Sequence, residues 1–121
     1  IGEIRDPQTA MMTIQAALSG HLVLGTVHAR DAYGVIARLI QLGVPSYYLE
    51  QVMTGVCYQR LLMQTDGTPA VLFDQLNGTA LIKEVKKQQG RGMTDAWTHY
   101  LDQAVSLGQI TPEEAAKYQN G

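Results

Sequence analysis

The sequence predicts an α/β fold: a mainly parallel sheet flanked by helices, with one added hairpin, followed by a small helical subdomain. Three observations carry this. An apolar run from Leu22 to Val27, broken only by Gly25 and Thr26, fits a strand covered on both faces, as in parallel sheets. On either side of it apolar residues recur at helical spacing. Further along, two segments rich in apolar residues flank the turn Asp66-Gly67, and beyond Asn77 only helical patterns remain. These features divide the chain into a core over residues 1–77 and a helical part over residues 78–121.

Ile1 and Ile4 flank Gly2 in what reads as the end of a buried strand, with Glu3 placed where the strand gives out. Asp6-Pro7 then supplies an N-cap and a proline at the first helical position, where its missing N–H costs nothing. The predicted helix uses Ala10, Ile14, Ala17 and Leu18 as one apolar face and stops at Ser19-Gly20. After the apolar run, Asp31 caps a second helix with Ala32, Val35, Ile36, Leu39 and Ile40 inward, ended by Gly43 and Pro45. A third runs from Ser46 to about Met53. Val56 to Met63 and Ala70 to Leu76 form the hairpin. A helix from Thr79 to about Gln89 carries Leu81, Ile82 and Val85 on one side and Lys83, Lys86 and Lys87 on the other. Gly90-Arg91-Gly92 reads as a joint. Thr94-Asp95 opens a helix with the most regular apolar stripe, Trp97, Tyr100, Leu101, Ala104 and Val105, which Gly108 ends. Thr111-Pro112-Glu113-Glu114 supplies a capping box for a last helix to about Gln119.

Two stretches carry chemistry, Ile1 to Asp6 and Gly20 to His28, and together they point to nucleotide hydrolysis. Beside a bound triphosphate, Glu3 is an acceptor able to orient or deprotonate an attacking water, which makes it the leading catalytic candidate. A histidine stands at each end of the apolar run. At about 3.3 Å per residue, His21 and His28 would lie roughly 23 Å apart in a straight strand, too far for one metal. Ligands of open α/β sheets gather outside the carboxyl ends of the strands, which places His28 on the nucleotide side with Glu3 and His21 at the other rim. There a neutral imidazole hydrogen-bonds a γ-phosphate oxygen or the water, and a protonated one offsets developing charge. Arg5 has three readings: pairing with a phosphate, bridging subunits or bracing Asp6. Gln59 and Arg60 sit inside the first hairpin strand, either placing the sheet against the nucleotide edge or forming a buried, paired arginine. Arg30 and Arg38 lie off the apolar stripe of their helix.

Composition narrows the classes. With 121 residues, 45% hydrophobic and 17% charged, the chain can bury one core. Nine Lys and Arg against eleven Asp and Glu give a net charge of −2 and no concentrated basic face, so direct nucleic-acid binding is not expected. Cys57 is the only cysteine, which excludes an internal disulfide and a CxxC metal pair and favours a reducing cytoplasm. No apolar run nears the ~18 residues of a membrane span, so membrane association is expected through partners.

Gly2-Glu3-Ile4-Arg5-Asp6, Thr9-Ala10, Gly20-His21-Leu22-Val23 and Thr26-Val27-His28, in that order, resemble the secretion ATPase superfamily, the hexameric motors of type II secretion, type IV pili and DNA-uptake pseudopili. The likeness continues through Ala32, Arg38-Leu39, Gly43-Val44-Pro45 and Gln59-Arg60-Leu61. It implies the C-terminal half of a RecA-like P-loop ATPase core. Glu3 and Arg5 then belong to the segment that ends the Walker B strand, and His21 and His28 to the histidine box. It implies ATP and Mg²⁺ as cofactors of the whole protein, with Glu3, Arg5, His21, His28, Gln59 and Arg60 at the nucleotide and Glu3 and His28 in catalysis. The implied partners are further copies in a hexamer and a membrane assembly-platform protein, at the cytoplasmic face of the membrane. No Gly-x-x-x-x-Gly-Lys-Ser/Thr occurs, so the chain reads as a C-terminal fragment cut at the Walker B strand, inactive alone and open to self-association through a bare strand edge. The four-cysteine zinc element of many members is replaced by the short turn Gln64 to Pro69, so no metal site is expected and the competence branch is favoured. The competing readings are a non-catalytic module that docks a platform protein through the Trp97 and Tyr100 helix, and a small metal hydrolase.

Overall fold

The computed structural model describes residues 2–90 and 92–121; Ile1 and Arg91, read above as a strand residue and part of a joint, lie outside them. Among the described residues six helices and two strands follow one another as α1 (Pro7–Leu18), α2 (Ala32–Gln41), α3 (Ser46–Val52), β1 (Gly55–Met63), β2 (Pro69–Asn77), α4 (Gly78–Lys87), α5 (Asp95–Ser106) and α6 (Pro112–Lys117).

Local chemistry sets the helix starts. The Asp6 carboxylate accepts from the Thr9 N–H at 2.8 Å and Asp31 accepts from the Gly34 N–H at 2.7 Å, each satisfying a donor that has no partner within its helix. Thr111 does the same for Glu114 at 3.1 Å. The capping box is only half formed, because the Glu114 side chain turns to the Met63 N–H at 3.2 Å and to Lys117 at 3.1 Å. At Asn77 no side-chain cap bond forms, and α4 ends at Lys87 with Gln88 left-handed at φ 52°.

β1 and β2 are antiparallel, with Gln59 opposite Phe73 and Leu61 opposite Val71. Among the described residues this hairpin is the only sheet. The expected mainly parallel sheet is reduced to one parallel bridge, Glu3 to Thr26. The stretch from Leu22 to Val27 is not covered on both faces: Leu22 is 87% exposed and Leu24 76%. A strand is buried on two faces only where a layer packs on each, and the described residues supply one, the α1 and α2 side.

Two clusters of buried residues form the interior. The larger gathers Ile4, Ile14, Ile36, Leu49, Val56 and Leu81 with their neighbours. The smaller holds Leu62, Trp97, Leu101, Ile110 and Ala115. The inner face of the hairpin runs along both, and Tyr58 packs against each. Asp74, buried on that face, accepts from the Thr94 N–H at 3.0 Å and from the Thr94 hydroxyl, tying the start of α5 to β2. Trp97 is fully buried, its indole N–H donating to the Tyr118 carbonyl at 2.7 Å, which removes it from any docking surface; Tyr100 of the same helix is 47% exposed. No helix among the described residues is long and apolar enough to cross a membrane.

Candidate active site

The site begins with the parallel bridge. The Ile4 N–H donates to the Thr26 carbonyl at 2.8 Å and the Thr26 N–H to the Gly2 carbonyl at 3.4 Å, which sets Glu3 beside Thr26. Side chains of an extended chain alternate, so His28, two residues on, projects on the same side as Thr26. Its Nε2 lies 2.8 Å from Glu3 Oε1. Arg5 Nε stands 3.4 Å from the other oxygen, Oε2. Gly25 contributes by omission: a Cβ there would meet Ile4 Cδ1 at 3.1 Å, so glycine lets the two segments close up.

One carboxylate is thus flanked by an imidazole and a guanidinium. The Glu3 side chain is 29% exposed while that of His28 is 91% exposed, so the acid is half sheltered and the imidazole stands in solvent. An exposed pair of this kind adds little to stability. Its value is positional. The carboxylate keeps lone pairs free beyond its two contacts and can accept from a water, while Arg5 and His28 present donors to an anion.

The other predicted residues are not gathered here. His21 Nδ1 sits 3.1 Å from the Ser19 hydroxyl and 3.2 Å from the Ala16 carbonyl, so this histidine closes the end of α1. Arg5 pairs with Glu3 while Asp6 is spent on its cap, whose pKa the Thr9 N–H, then the Thr9 hydroxyl, holds below the usual carboxylate value. Gln59 is exposed on the outer face of β1. Arg60 is exposed rather than buried; its Nε donates to the Gly121 carbonyl at 2.8 Å and its guanidinium lies 5.9 Å from the centre of the Tyr118 ring. Tyr58 donates to the same carbonyl at 2.9 Å. These contacts span some sixty residues of sequence, and no local pattern signals them.

Beside His28 a cleft of about 280 Å³ runs along α2, with Arg30, Tyr33, Arg38 and Glu84 on its walls. Burial, then the nearby carboxylates of Asp74 and Glu84, push the Tyr33 phenol above its ordinary pKa, so it is a hydrogen-bond donor there. No cluster of three or more potential metal ligands occurs among the described residues.

Comparison with known proteins gives this geometry a context. The chain is 34% identical over 115 residues to the competence protein ComGA of Streptococcus pneumoniae, covering 95% of this chain and 32% of that protein. It is 48% identical over 66 residues to type II secretion system protein E of Xanthomonas campestris pv. campestris, covering 54% of this chain and 12% of that one. The chain therefore spans about a third of the first of these relatives and about an eighth of the second. Among solved structures, the pilus retraction motor PilT with bound ADP superposes with a TM-score of 0.79 at 25% identity, over 99% of this chain and 38% of that one. The α/β class is thus that of RecA-like secretion ATPases, of which this chain holds the part with the bridge and the hairpin. With the model of the type II/IV secretion system proteins matched over residues 1–110, the chain belongs to that family, within the secretion ATPase superfamily.

Proposed function

We propose that this chain forms the C-terminal portion of a hexameric motor that hydrolyses ATP to drive assembly of a pilus or pseudopilus, for DNA uptake or type II secretion. The observation that carries the reading is the juxtaposition of Glu3 with His28 and Arg5 on an exposed rim. The similar solved motor was determined with ADP bound, which supports nucleotide binding by the whole protein.

The residues present fit one side of such a site. His28 and Arg5 are donors suited to phosphate oxygens, and Glu3 is an acceptor suited to the attacking water or to a water of Mg²⁺. When bound, the nucleotide supplies the electrophilic phosphorus. Glu3 then orients the water and draws its proton, while the imidazole edge of His28 steadies the carboxylate and donates to developing charge. His21 braces α1, and Gln59 and Arg60 hold the hairpin side of the motor. We assign residues 1–77 to the motor core and residues 78–121 to a helical part with α4 packed back on that core. The protein works in the cytoplasm, at the membrane through an assembly-platform partner, and these 121 residues alone do not turn over ATP.

The test is ATP hydrolysis by the protein translated from its complete reading frame. Glu3→Gln is expected to lower kcat by about 10²–10⁴-fold, the usual contribution of a positioned base, with KM little changed. Turnover unaffected by the substitution would refute the role of Glu3.

A further inference from the structure

His28 stands on a short length of chain that its own sequence neighbours hold weakly. The bridge fixes Thr26 and the cap of α2 fixes Asp31, but from Val27 to Arg30 no backbone hydrogen bond forms among the described residues. A side chain is placed no better than the backbone that carries it, and the His28 ring stands in solvent, where packing adds little.

What borders this length comes from the far end of the sequence. The Gly92 N–H donates to Asp31 Oδ2 at 3.1 Å, while the other oxygen of that carboxylate caps α2. Gly121 lies against the Arg30 carbonyl: a Cβ built on it would stand 2.9 Å from that oxygen, 3.0 Å from Met93 Sδ and 3.1 Å from the Tyr58 hydroxyl oxygen. At φ 88° the backbone there also favours glycine.

Gly121 is itself fixed. Its carbonyl accepts from the Tyr58 hydroxyl at 2.9 Å and from Arg60 Nε at 2.8 Å, and its N–H donates to the Tyr118 carbonyl at 3.1 Å. That last carbonyl accepts in turn from the buried Trp97 indole at 2.7 Å. Contacts thus run without a break from the interior of the helical part, and from β1, to the residue two places after His28. Gly121 contributes no side chain to the smaller buried cluster, so what its place achieves is to limit where Arg30 can move.

We propose that Gly92 and Gly121 are positioning residues for His28: through them the helical part sets where the imidazole stands beside Glu3. This rests on the ATPase reading of that rim. Lifting residues 118–121 away from β1 then loosens His28 and slows the step it serves, while nucleotide binding changes little.

Gly121→Val and Tyr58→Phe are compared in the protein translated from its complete reading frame. The first wedges a side chain between Gly121 and Arg30. The second removes one donor from the Gly121 carbonyl and keeps the ring that packs edge-on to Trp97, 5.6 Å between centroids. Because a misplacement of ~1 Å can cost about 10²-fold, kcat is expected to fall by on the order of 10-fold in Gly121→Val and about 3-fold in Tyr58→Phe, with KM within about 2-fold. In a His28→Asn background both losses are expected to vanish. Losses of the same size in that background, or no loss in either, would overturn the proposal. The ¹³C-methyl resonance of Ala29, next to His28, gives a reading without nucleotide. It is expected to move in Gly121→Val while that of Ala10, buried on α1, stays. An unmoved Ala29 resonance would overturn the proposal even if ATP is hydrolysed; a moved one in a protein that hydrolyses no ATP upholds the positioning and removes the ATPase reading.

Discussion

At the scale of single residues, several carboxylates hold structure and Glu3 does not. Asp6 and Asp31 are consumed by caps, Asp74 by Thr94, and Glu84 by the Gly90 N–H at 2.9 Å, whereas Glu3 contacts only side chains at a rim. The Thr68 hydroxyl, then its N–H, lowers the pKa of Asp66, and the Met63 N–H, then Lys117, lowers that of Glu114. A carboxyl with a lowered folded pKa binds fewer protons folded than unfolded. Its contribution is complete above the ordinary values of 3.8 for Asp and 4.5 for Glu and is lost as pH falls through the lowered ones. The melting temperature is therefore expected to drop between pH 5 and pH 2, and Glu114→Gln to shrink that drop. Asp74→Ala leaves the Thr94 N–H without its acceptor in a part-buried place and is expected to cost about 1–3 kcal/mol in urea unfolding. That Glu3 and His28 would stand side by side was legible because an acid and an imidazole punctuate apolar stretches. Arg60 was not, because its partner at Gly121 is defined only by the folded path of the chain.

At the scale of elements, what local chemistry determines was legible, and what a second layer determines was not. Caps and helical spacing predicted all six helices, with α4 and α6 closing two residues early. The hairpin was legible from Asp66-Gly67, where Gly67 takes φ 84°. The apolar run from Leu22 to Val27 reads as a buried strand because its composition suits burial on two faces, yet within the described residues it meets only a short bridge. The stripe on α5 was also legible, though not that Trp97 would anchor the chain end through Tyr118. Trp97→Ala is expected to cost about 3–5 kcal/mol, enough to unfold the smaller cluster, as a loss of near-ultraviolet dichroism would report. Cutting the chain after Lys117 removes the indole's acceptor and should shift the emission of this single tryptophan to longer wavelength.

For the molecule as a whole, two clusters share one hairpin wall, and one side of that wall is uncovered. Leu61, Met63, Val71 and Phe73 are exposed on its outer face, and Leu22 and Leu24 are exposed on the bridge segment. Grouped exposed apolar side chains favour association. The 121-residue chain is therefore expected to self-associate, with a light-scattering mass that rises with concentration and returns to the monomer value when Leu24 and Phe73 are changed to Lys. A monomer at every concentration would remove that expectation. In ATP hydrolysis by the protein translated from its complete reading frame, Glu3 and His28 are expected to act as one unit. The decisive measurement is a double-mutant cycle on kcat with Glu3→Gln and His28→Asn. The double variant is expected to be no slower than Glu3→Gln alone; losses that multiply as independent factors would show that the two residues act separately.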